Sequence, residues 1–154
     1  MFLNAKYWLS RYKHLVIAST IGIWTLVVVS ALFSNPSLNQ AQLKLSEMNT
    51  DLDSLLVQGG KVVSSTKVAK YGRAHASRVI AMEGWSSALL ARYVQTLQEK
   101  KWKRLPGPDL EFCRDGMLAV LKEDAGMLNK QSVNYLDVTF DAATIRKCSH
   151  AAVK

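Results

Sequence analysis

The stretch "LEFCRDGMLAVLK", residues 110–122, decides how the second half of this chain folds. Asp115-Gly116 stands between two apolar runs, and Asp-Gly suits a two-residue hairpin turn because both turn positions need positive φ. "LEFCR" and "MLAVLK" then read as two paired strands. The residues from Met117 to Asp124 are mostly good helix formers, so a short helix capped at Gly126 competes. The turn signal favours the strand. Further on, "VNYLDVTF", Val133 to Phe140, alternates Leu136, Val138 and Phe140 with Tyr135, Asp137 and Thr139. That is the pattern of a half-buried strand. Asp141 stands where it can cap a helical turn in "DAATIRKC".

Upstream the period changes. Val68, Tyr71, His75, Val79, Met82, Trp85, Leu89, Tyr93 and Leu97 step by three or four. This predicts an amphipathic helix from Thr66 to Lys101, weakened at Gly72 and Gly84 and stopped by "LPGP" at Leu105–Pro108. The expected fold class is α+β. A long helix packs on a small antiparallel sheet of two to four strands, preceded by a transmembrane helix and a juxtamembrane helix. Trp85, Tyr93, Trp102, Phe112, Tyr135 and Phe140 are the aromatic core candidates.

The opening stretch also holds Cys113, one of the chain's two cysteines; the other is Cys148. They could form a disulfide, ligate a metal, act in redox chemistry or be unrelated thiols. Compartment decides between these readings. Leu15 to Phe33, "LVIASTIGIWTLVVVSALF", carries no charge and no proline. About 20 such residues span a bilayer core. Tyr7, Trp8 and Tyr12 lie just before it, where interfacial aromatics belong. A cleaved signal peptide ending near "VSA", Val29–Ala31, is the rival, but its apolar region would be about 7–15 residues, shorter than this one. Lys6, Arg11 and Lys13 precede the run, and all 12 acidic residues follow it. The positive-inside rule then puts the N-terminus in the cytoplasm and the rest in the periplasm or an equivalent space. There two thiols without a CxxC spacing are expected to pair, closing a loop of about 36 residues worth roughly 4 kcal/mol.

The resulting layout is a cytoplasmic stub (1–13), a signal-anchor helix (14–34), a coiled-coil-like juxtamembrane helix with a hinge (35–60) and an exported domain (61–154). Within the third segment Leu38, Ala41, Leu45, Met48, Leu52 and Leu55 recur at steps of three and four, as in a heptad seam. Leu38, Leu45, Met48, Leu52 and Leu55 are therefore candidates for oligomerisation, with packing on the chain's own domain as the competing reading. Gly59-Gly60 ends the helix.

Chemistry is sparse. There is no phosphate-binding glycine loop, nucleophile elbow, HExxH or CxxC. His75 reads as a partly buried, satisfied imidazole. Glu83, Asp115, Asp137 and Asp141 each have a structural explanation. Arg73, Arg78 and Arg92, spaced along the expected helix, could present a basic stripe to an acidic partner, and solvated positions explain them as well. No catalytic residue, cofactor or metal ligand is assigned, and no small-molecule substrate is evident. Three of the 20 basic residues lie in the stub, which leaves 17 against 12 acids in the remainder. That mild bias, with one local cluster at "KKWKR" (Lys100–Arg104), argues against nucleic acid as a partner. A basic run with a tryptophan could touch lipid headgroups or nucleic acid, but the stronger reading is a helix C-terminus whose cations complement its dipole.

The sequence therefore implies a non-enzymatic, single-pass inner-membrane protein. Its partners would be the lipid bilayer and other envelope proteins, or itself through the juxtamembrane helix. Small subunits of secretion and pilus machines share this layout without sharing a motif. An anchored inhibitor or immunity-type protein, binding a toxin or a cell-wall enzyme, is the alternative.

Overall fold

The computed structural model describes residues 3–123, 126–128 and 131–151, and, within the first helix, the side chains of Tyr12 and Leu15–Val29. The side chains of Lys6, Tyr7, Trp8, Arg11, Lys13, His14 and Ser30, and all of Asp124, lie outside this description. The chain divides into two compact units, Met1–Asn35 and Pro36–Lys154.

The first unit is one helix, α1 (Leu3–Ser34). Ser19, Thr20 and Thr25 satisfy their hydroxyls on the carbonyls of Val16, Val16 and Ile21, at 2.9, 2.7 and 2.8 Å. Leu15–Val29 are exposed on every side of the helix. Among the described residues no helix is long and apolar enough to cross a membrane. The expected transmembrane helix over 14–34 therefore appears here as a helix, without support for a span.

The second unit is α+β. Its elements are α2 (Leu38–Leu56), β1 (Val62–Lys70), β2 (Arg73–Ala81), α3 (Ser87–Glu99), β3 (Lys103–Arg104), β4 (Leu110–Arg114), β5 (Met117–Lys122), β6 (Met127–Leu128), β7 (Gln131–Asp141) and α4 (Ala142–Ala151). The strands form a seven-stranded antiparallel sheet in the order β1-β2-β7-β5-β4-β3, with β6 beside β7 off this path.

Several sequence expectations hold. Arg114 pairs with Met117 across the Asp115-Gly116 turn, whose φ values are 49° and 79°. Met117–Lys122 is thus a strand. β7 is the strand expected from "VNYLDVTF", and it lies between β2 and β5. Asp141 accepts the N–H groups of Ala143 and Thr144, both at 2.9 Å, capping α4. Tyr93, Trp102, Phe112 and Phe140 are buried in the core, while Trp85 and Tyr135 are half-buried.

The long helix from Thr66 to Lys101 does not exist. Its first half is the β1–β2 hairpin, turning at Tyr71-Gly72, where Gly72 has φ 83°. The sheet is correspondingly larger than expected. Val62, Val63, Thr66, Val68, Val79 and Ile80 are β-branched and suit a pleated surface. β2 is also a central strand. It is buried by β1 and β7 at its edges and by α2 above, so its apolar residues do not alternate cleanly. With burial nearly continuous along β2, its apolar residues matched a helical stripe by coincidence. The helix that does form, α3, starts at the Ser86 cap and keeps only the later part of the stripe: Leu89, Tyr93 and Leu97.

Alternation sorts the sheet into two faces. Ala76, Val138, Ala119 and Phe112 lie in register across four strands and join the main core with α2 and α3. His75, Thr139, Leu118 and Cys113 line the other face, which α4 covers at one end. A capping box at Ser37 starts α2, with Gln40 returning the bond. Met48, Leu52 and Leu55 are then 0%, 1% and 1% exposed, Ala41 is buried with them, and Leu45 is partly buried. The heptad seam thus faces the chain's own sheet. The expected oligomerisation residues Met48, Leu52 and Leu55 are not offered to a second chain, because side chains that complete one core cannot complete another. Leu38, 45% exposed, stands at the rim. Arg78 is held on this face too, donating to Asn49 and Asp53 of α2 at 3.1 and 3.0 Å. It is a buried β2 residue, not a member of a solvated helical row.

The Gly59-Gly60 hinge is packed rather than loose. Tyr93 donates its hydroxyl to the Gly59 carbonyl. Gly60 has φ 102°, and a β-carbon there would meet the Tyr93 hydroxyl at 2.5 Å. Burial pushes the Tyr93 phenol above its ordinary value of 10.0, opposed by the nearby Arg92 charge. A folded pKa above the unfolded one gives stability that is complete below the unfolded value and is lost as pH rises through the folded value. Urea unfolding from about pH 9 to pH 11 should therefore show a falling alkaline limb that Tyr93→Phe flattens. At neutral pH the same variant should lose about 1 kcal/mol from the missing hydrogen bond.

Candidate functional site

The site is built where α3 ends. Trp102 N–H bonds the Leu97 carbonyl and Lys101 N–H bonds the Gln98 carbonyl, both at 2.9 Å. This is a Schellman cap, and its left-handed position is usually glycine. Here it is Lys101, with φ 67°. The reversal drives Trp102 into the core, where it is 2% exposed, and sends Lys103 and Arg104 along the outer edge of the sheet. The basic cluster is therefore a helix cap followed by an edge strand, with its tryptophan buried.

Under this arm lies a buried carboxylate. Asp51 of α2, 5% exposed, accepts from Trp102 Nε1 at 3.0 Å. Its ion pairs are with Arg114 Nη2 at 2.6 Å and Lys100 Nζ at 3.5 Å. The Arg114 guanidinium also stacks 4.9 Å from the Trp102 ring centroid and donates to the Lys100 carbonyl at 3.1 Å. Stacking and a flat fork of donors together favour arginine over lysine there. One carboxylate thus gathers α2, the α3–β3 corner and β4.

The opposite face of β4 carries the disulfide. Cys113 is bonded to Cys148 of α4, with Cα atoms 5.4 Å apart. Leu105 and Leu118 pack around it. Lys147 reinforces the junction through an ion pair with Glu111 at 2.6 Å. Cys113 and Cys148 thus pair as expected from the sequence.

Between the β3 arm, the β4–β5 turn and α4 opens a cleft of about 500 Å³. Lys101, Lys103, Arg104 and Arg114 contribute cations to its lining and Asp115 contributes a carboxylate. Its apolar floor includes Leu105, Phe140, Ile145 and the disulfide. Gly116 has to be small here, because a β-carbon would meet Ile145 at 3.0 Å and Phe140 at 3.3 Å.

The remaining titratable groups do not converge. The His75 Nδ1 lies 3.2 Å from the Thr139 hydroxyl on the half-buried sheet face. Glu83 follows β2 and makes an exposed ion pair with Lys61 at 3.7 Å. Neither lines the cleft. Among the described residues no group of three His, Cys, Asp or Glu side chains could hold a metal ion. The disulfide is legible in the sequence, whereas the roles of Asp51 and Arg114 are not. Their signal was faint: Asp51 follows Met48 by three residues and precedes Leu55 by four, which places a charge on the apolar face of α2. No known protein family matches the chain, and no curated protein or solved structure matches it either.

Asp51→Ala leaves two cations beside a buried indole without their carboxylate. It should cost about 3–5 kcal/mol in urea unfolding followed by tryptophan fluorescence. Lys44→Ala, which breaks the more exposed pair with Glu47, should cost less than about 1 kcal/mol.

Proposed function

We propose that this chain is a non-enzymatic, single-pass inner-membrane protein. Its exported domain binds other envelope proteins as a structural or assembly subunit. The observation that carries the reading is α1. Leu15, Ile23, Trp24 and Leu26 are 67%, 63%, 67% and 71% exposed, and Leu15–Val29 carries no charge on any side. A helix that is apolar all round needs lipid or protein about it. In the sequence the uncharged run continues to Phe33, and the basic residues before it favour a cytoplasmic N-terminus. The Cys113–Cys148 disulfide agrees with an oxidising space on the far side. With α2 packed into its own domain, association falls to the domain surface and to α1 rather than to the Met48–Leu52–Leu55 seam.

The full chain should stay with membranes through alkaline carbonate washing. Crosslinking in intact membranes, read by mass spectrometry, should yield adducts with other envelope proteins. Release by carbonate, or recovery only as an uncrosslinked monomer, would overturn the proposal. One-to-one capture of a secreted toxin or cell-wall enzyme would replace it with the inhibitor reading.

A further inference from the structure

We propose that the basic cleft beside the disulfide binds an acidic segment of a partner protein. Carboxylates of that segment would lie on Lys101, Lys103 and Arg104, with an apolar side chain on the floor of Leu105, Phe140 and Ile145. The inference rests on the reading of the domain as a binding module, and it supplies that module with a site and a ligand chemistry.

Three observations converge on this one place. The first is charge left over. Among the described residues Lys101, Lys103 and Arg104 make no ion pair, while Asp51 is already shared by Lys100 and Arg114. The carboxylate that lines the cleft, Asp115, is 71% exposed at its side chain and lies 4.0 Å from Arg114. The second is the backbone. Lys101 and Asp115 are the non-glycine residues with positive φ among those described, and both line the cleft. Asp115 belongs to a turn that aspartate suits. Lys101 occupies a cap position that glycine would fill without steric cost. Left-handed lysine gives the cap nothing, and it adds a cation to the lining of the cleft. The third is shape. An apolar floor under a cationic rim matches a ligand with both characters, as interfaces with buried centres and charged margins do.

The same geometry disfavours a lipid surface or a nucleic acid. Single-stranded nucleic acid stacks its bases on exposed aromatic rings, and membrane interfaces are enriched in exposed tryptophan and tyrosine. Trp102 is 2% exposed with its N–H held by Asp51. Among the exposed large apolar side chains of the second unit, none borders the cleft.

The test uses the full chain in discs of zwitterionic lipid. The probe is a fluorescein-labelled peptide of alternating glutamate and leucine, followed by anisotropy, with a glutamine–leucine peptide as control. The glutamate peptide should bind and the control should not, and added salt should weaken binding. Lys103 and Arg104 are exposed, so the double variant Lys103→Glu/Arg104→Glu should keep the fold and weaken binding by about tenfold or more. Lys101→Gly should separate two effects, raising Tm by about 2–4 °C while weakening the peptide. Absence of glutamate-peptide binding, or binding unchanged in the double variant, would overturn the inference. So would attachment to phosphatidylglycerol vesicles through these residues with none to the peptide. If membrane crosslinks to envelope proteins persist undiminished in the double variant, the cleft falls while the binding-module reading stands. If the unaltered chain gives no such crosslinks, the binding-module reading itself falls.

Discussion

One buried carboxylate organises the folded domain. Taking Asp51 out of water costs several kcal/mol, and only a well-placed set of donors offsets that. It receives an indole N–H, a guanidinium and an ammonium, from the α3–β3 corner and β4. These donors can converge only if α2 lies across the sheet next to the end of α3. The same placement brings Met48, Leu52 and Leu55 down onto the core. A helix that could have zipped to a second chain is thereby committed to its own.

The short β3–β4 arm is held from both sides. Consecutive residues of a strand point to opposite faces, so Arg114 reaches Asp51 on one face while Cys113 reaches Cys148 on the other. A strand of five residues would be a weak platform alone. Pinned twice, it presents Lys103 and Arg104 on its β3 neighbour from a rigid base, as preorganised binding requires. The cations nearest the buried acid are used up in folding, and those one step further out are left to the cleft.

Legibility in the sequence followed the locality of the signal. The Asp115-Gly116 turn, the β7 alternation and the Asp141 cap each depend on a few adjacent residues, and each formed as read. The disulfide was legible for a different reason: two cysteines in a chain with an apolar N-terminal run leave little else to pair. The β1–β2 hairpin was misread because β2 is central. Residues from Ala74 to Ala81 are nearly all buried, which erases the period of two and lets a step of three or four pass for a helix. The β-branched content of Val62–Val68 was the better guide. Asp51 and Arg114 could not be paired from sequence, since 63 positions separate them and a charge on an apolar stripe usually sits at its margin. The cleft was invisible too, because its lining comes from three separate segments that only the finished sheet brings together.

The account stands on the coupling between Asp51 and the strand it anchors. The most direct measurement is a double-mutant cycle of Asp51→Ala and Arg114→Ala, with stability read by urea unfolding of the full chain. Residues in one buried network interact by about 0.5–3 kcal/mol, so the double variant should be less destabilised than the sum of the singles by more than about 0.5 kcal/mol. Additivity within about 0.5 kcal/mol would contradict the account, because it would mean that α2 and the basic arm are held in place independently.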